Sequence, residues 1–87
     1  MKRKIKKHPT AIFYPEVIDI DTSRFKGDYA FYALEDNLLE LPEVLEKFLV
    51  RELKTLQPKR IEDYAHSSTL EKVCADLQIP YQEISLA

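Results

Sequence analysis

Residues 28–34, Asp28-Tyr29-Ala30-Phe31-Tyr32-Ala33-Leu34, place six uncharged aromatic or apolar side chains in a row behind one acid. Aromatic residues at this density favour extended backbone. Side chains alternate along a strand, so Tyr29, Phe31 and Ala33 take one face and Ala30, Tyr32 and Leu34 the other. Neither face is polar, and such a strand needs cover on both sides, from helices or from a partner chain.

Upstream, Ala11-Ile12-Phe13-Tyr14 predicts a first strand, with Val17 to Ile20 able to extend it. Pro15 cannot donate to a ladder and points to an edge or a bulge. Asp21-Thr22-Ser23 and Arg24 to Gly27 form the polar link expected of a turn or hairpin loop. Downstream, Leu41, Val44, Leu45, Phe48, Leu49, Leu53 and Leu56 recur every three or four residues, the signature of one apolar stripe on a helix. Pro42 suits the first helical turn, where its missing N–H is not needed, and Pro58 stops the helix. Burying each large side chain of the stripe contributes roughly 1.5–3 kcal/mol, so packing decides this helix.

After a polar connection, Ser68-Thr69-Leu70-Glu71 has the form of a capping box, with Leu70, Val73, Cys74 and Leu77 on the inner side of a second helix. Pro80 ends it, and Tyr81 to Leu86 is either a closing strand or a further helical turn. The expected architecture is α+β: a small antiparallel sheet packed against an amphipathic helix, in the order β-β-α-α-β.

The whole chain has 87 residues and 45% hydrophobic composition, which fits one domain. Lys2, Arg3, Lys4, Lys6 and Lys7 hold five of its 13 basic residues, leaving residues 8–87 with 8 basic against 15 acidic side chains, a net of −7. The expectation is a flexible basic tail over 1–8 and a single α+β domain over 9–87. No apolar run approaches the roughly 18 residues of a membrane span. One cysteine cannot form an internal disulfide, so a reducing, cytoplasmic setting is expected.

Residues capable of chemistry are few. A single glycine excludes a phosphate-cradling glycine loop. His8, His66 and Cys74 have no zinc-like spacing, so no metal and no cofactor are expected. Cys74 falls on the apolar side of its helix, where a thiol stays protonated. Ser67 and Ser68 are explained as helix caps. The carboxylate pairs Asp19/Asp21 and Glu35/Asp36 lie beside turns and a helix start, positions that acids favour for ordinary reasons.

Thr10-Ala11-Ile12-Phe13-Tyr14-Pro15-Glu16 resembles the first strand of HicB-type antitoxins, small bacterial proteins that restrain a ribonuclease toxin, and the strand-strand-helix order over 10–56 is similar. The resemblance implies a regulator that masks a basic partner. Ser68 to Val73 with Leu77, Ile79 and Ile84 is similar to the last helices of Xre-type helix-turn-helix domains, but the helix that reads the major groove has no room here.

These residues point to a non-enzymatic protein-interaction module, dimeric, whose acidic body caps a basic protein such as a toxin or nuclease. The partner-binding candidates are Tyr14, Tyr29 and Tyr32 on the strands with Asp36, Glu43 and Glu46 on the helical side. The alternative is a small nucleic-acid-binding protein that uses Lys2, Arg3, Lys4, Lys6, Lys7, Arg24 and Lys26 for charge and the strand aromatics for stacking.

Overall fold

A computed structural model describes residues 8–85. Its strands are β1 (Thr10–Pro15), β2 (Tyr29–Leu34), β3 (Arg60–Asp63) and β4 (Tyr81–Glu83). Its helices are α1 (Asp36–Leu39), α2 (Pro42–Leu56) and α3 (Ser68–Leu77), with a single 3-10 turn at Thr22–Arg24. The strands form one sheet in the order β2-β1-β3-β4, and every neighbouring pair is parallel.

The expected antiparallel sheet is therefore wrong. Residues 16–28 are not a hairpin loop but a crossover that returns the chain to the amino end of the sheet. Parallel neighbours require such returns, and helices usually supply them. Here α1 and α2 carry the chain from β2 across β1 to β3, and α3 carries it on to β4. The sequence order also gains a strand. Arg60–Asp63, which lies in the polar connection expected between the two helices, forms β3 between β1 and β4.

The chain steps from β1 to β2 in one direction, then from β2 through β3 to β4 in the other. With crossovers of one hand, the first connection and the helical ones fall on opposite faces. Side-chain contacts agree with this. Ala11, Phe13, Leu34 and Ile61 are buried with Leu45, Leu49 and Leu53 of α2 and Leu70, Val73 and Cys74 of α3. Phe13 stacks on Tyr32 at 4.7 Å on that side. On the other face Phe25, from the first crossover, lies edge-on to Tyr29 and Phe31, with ring centres 5.2 and 5.5 Å away. No helix of the described residues covers that face, where Ile12 is nonetheless fully buried.

Local signals placed α2 and α3 well, but not α1, which the expected order lacks. Pro42 occupies the first turn of α2, and Gln57 closes that helix in the left-handed conformation at φ 51° just before Pro58. In α3 the cap is one residue earlier than the capping box proposed: the Ser67 hydroxyl accepts the Leu70 N–H at 3.2 Å. Gln78 ends α3 at φ 60°. β1 stops at Pro15, so Val17 to Ile20 does not extend it; Val17 is 74% exposed. Residues 81–83 resolve the last ambiguity as a strand. No helix among the described residues is long and apolar enough to cross a membrane.

Candidate functional site: an open aromatic strand edge

In open parallel sheets, chemistry gathers outside the carboxyl ends of the strands where the order reverses, which here is between β1 and β3. Asp63 ends β3 at that point and is fully buried. Its Oδ1 accepts the N–H groups of Ala65 and His66, at 2.8 and 3.0 Å. Its Oδ2 accepts the Ser67 N–H at 2.8 Å and the Tyr81 hydroxyl at 2.6 Å. The carboxylate thus holds the turn into α3, where His66 takes φ 54°, and ties that turn to β4. With four donors on two oxygens, Asp63 organises the loop and is not presented to a substrate.

The other reactive groups are similarly committed. Nε2 of His66 lies 2.7 Å from the Ile84 carbonyl, and its Nδ1 lies 3.3 Å from a Glu83 carboxylate oxygen. Burial, aided by the charges of Asp63 and Glu71, pushes the Cys74 thiol up to about 12, far from a reactive thiolate. Among the described residues no group of three His, Cys, Asp or Glu side chains could hold a metal ion. One open hollow of about 630 Å3 lies at the amino end of the sheet, between Leu53, Lys54, Lys59, Leu77 and Ile79. It contains no paired acid and base.

The candidate partner residues do not converge. Tyr14 and Tyr29 share the helix-free face, but at opposite ends of the sheet, since Tyr14 pairs with Ala33 and Tyr29 with Thr10. Tyr32 is on the helical face against Phe13. Asp36 opens α1, and Glu43 stands in the first turn of α2. Glu46 is engaged by Lys72 of α3 at 3.0 Å. The outer surface of α2 is not an acidic patch, because Glu43 and Glu46 share it with Lys47, Arg51 and Lys54. Of the nucleic-acid candidates, Lys2, Arg3, Lys4, Lys6 and Lys7 lie outside the described residues. Arg24 ends the 3-10 turn, and Lys26 is exposed two residues later.

What the tertiary structure does assemble is an unguarded edge. The Thr10 N–H bonds to the Asp28 carbonyl, and the Glu16 N–H to that of Leu34. Every second residue of a parallel strand turns both backbone groups to the same neighbour. Asp28, Ala30, Tyr32 and Leu34 therefore face β1, leaving the N–H and C=O of Tyr29, Phe31 and Ala33 directed outward. No described strand pairs with them. Edge strands are commonly blunted by charge, by proline or by being short. β4, at the opposite edge, has these defences: three residues, Pro80 before it and Glu83 within it. β2 has none over six residues.

An apolar strip of α2 adjoins this edge. Leu45, Leu49 and Leu53 point to the core, and Glu46 points toward α3. At 100° per residue, Leu41, Val44, Phe48 and Glu52 fall on the opposite flank. Glu52 confirms the direction, since its charge helps burial hold the Tyr32 hydroxyl above the usual tyrosine pKa. Leu41 and Val44 are 52% and 51% exposed. The signal that could have located the edge was the uncharged stretch 29–34 itself; which of its residues turn outward needed the pairing partner.

Compared with protein-family models, with curated proteins and with solved structures, the chain finds no match in any of the three.

Proposed function

We propose that this protein is a non-enzymatic interaction module that docks another polypeptide along the β2 edge. The observation that carries this reading is the row of outward backbone groups at Tyr29, Phe31 and Ala33, beside the exposed Leu41 and Val44 and the half-buried Phe48. Strand addition supplies affinity through main-chain hydrogen bonds and selectivity through the side chains on either face. The reading rests on this strand and not on the acidic helix, because the acids of α2 are interleaved with lysine and arginine. Masking of a partner, as the likeness to HicB-type antitoxins implies, is one use to which such docking lends itself.

The test is photo-crosslinking in the native host. A photoreactive phenylalanine analogue in place of Phe31 is expected to capture a polypeptide, and the same analogue in place of exposed Ala75 on α3 is not. Ala33→Pro removes one outward N–H while sparing the ladder to β1, so the fold should persist and the capture at position 31 should be lost. Absence of any cross-linked polypeptide at position 31 would overturn the reading.

A further inference from the structure

We infer that the occupant of the β2 edge is a second copy of this chain, paired antiparallel about a two-fold axis at Phe31. The inference rests on the reading of β2 as a docking edge and names its partner.

The argument is the fit of the strand to itself. Residues with outward backbone groups must meet as hydrogen-bonded pairs, so Tyr29, Phe31 and Ala33 can only oppose one another. Centring the axis on Phe31 sets Tyr29 opposite Ala33 of the second copy, and Ala30 opposite Tyr32 of the second copy. Each tyrosine then meets an alanine, on both faces of the sheet. The two Phe31 rings meet on the helix-free face, beside the Phe25 and Tyr29 rings already gathered there. Moving the axis to Tyr32 opposes two tyrosines at the closer, non-hydrogen-bonded spacing. Moving it to Ala30 brings Asp28 opposite Tyr32 and Tyr29 opposite Phe31. Of these three registers, only the one centred on Phe31 sets every tyrosine against an alanine and keeps both charged ends, Asp28 and Glu35, outside the paired segment.

The same two-fold axis brings the exposed flank of α2 toward its counterpart. A stable dimer buries about 1,200–2,000 Å2 in all. Five paired residues fall short of that alone, and the strip Leu41, Val44 and Phe48 supplies apolar surface on the same side. The result is an eight-stranded sheet whose outer edges are the two short, charged β4 strands, so pairing stops at two copies.

The experiment is sedimentation equilibrium on the purified full chain. The wild type is expected to be a dimer. Phe31→Lys sets two ammonium groups across the axis and should weaken the dimer at least about tenfold. Tyr29→Lys alone and Ala33→Glu alone should weaken it as well. Combined in one chain they place opposite charges in register at both ends of the pairing and should restore it. Circular dichroism establishes that each variant is folded. A dimer indifferent to Phe31→Lys, or one not restored by the double exchange, overturns the inference. A wild-type monomer that still cross-links to a different protein through position 31 overturns it while leaving the docking reading intact. A monomer with no cross-link at position 31 removes both.

Discussion

The Tyr81 hydroxyl donates a 2.6 Å hydrogen bond to Oδ2 of Asp63, fastening the last strand to the turn that begins α3. That carboxylate also accepts three backbone N–H groups and is closed to solvent. One side chain therefore holds together the ends of β3, α3 and β4.

Asp63→Ala leaves three half-buried N–H groups and a hydroxyl without their acceptor. Bonds to a charged acceptor contribute about 1.5–3 kcal/mol each, so the loss should reach at least about 3 kcal/mol. Tyr81→Phe removes one donor and should cost about 1.5–3 kcal/mol. Urea denaturation of both variants measures the two losses and their ratio.

Ser67, and not Ser68, is the residue whose hydroxyl caps α3. Ser67→Ala should lower stability by about 1 kcal/mol, while Ser68→Ala should change it by less than about 0.5 kcal/mol. Equal effects would return the helix start to the position read from the capping box.

Stability should fall on the alkaline side. Burial, then Asp63 and Glu71, raises the Cys74 thiol from 9.0 to about 12. Burial, then the hydrogen bond and charge of Asp63, raises the Tyr81 hydroxyl above its ordinary value of 10.0. In both cases the native state favours the neutral form. The contribution is therefore whole below the unfolded pKa and is lost as pH climbs, from about 9 to 12 for Cys74 and from about 10 upward for Tyr81. Cys74→Ala should move the onset of this decline from about pH 9 to about pH 10, as read by denaturation at stepped pH.

Two apolar residues of α2 should respond very unequally to truncation. Leu49 is fully enclosed, and Leu49→Ala should cost about 2–5 kcal/mol, enough to threaten folding in a domain of this size. Val44 is 51% exposed, and Val44→Ala should leave monomer stability within about 0.5 kcal/mol. Thermal melts of the two variants distinguish the core stripe from the outward flank.

Within the candidate site, the sequence made the uncharged run 29–34 plain and assigned its side chains to the right faces. It gave no means of knowing that the odd-numbered residues of that run aim their backbone at solvent, because that depends on which neighbour takes the even ones. Asp63 is illegible in the sequence for a related reason. Arg60-Ile61-Glu62-Asp63 carries one apolar residue among three charges, and it becomes a strand only because β1 and β4 bond to it from either side. Its Arg60 and Glu62 meet each other at 2.6 Å, an arrangement that extended backbone permits between residues two apart.

By itself the amino-acid order determined the two long helices to within a residue at their ends, and the extended nature of β1 and β2. Those features depend on residues a few positions apart, through periodicity, proline and side-chain capping. Only the tertiary structure decided that the strands run parallel, that β3 exists, and that β2 ends the sheet with its edge open. An alternating strand presents the same faces whichever way its neighbour runs, and its N–H and C=O groups serve either ladder. The direction of pairing is set by where the connecting segments pack, and that is a property of the assembled core.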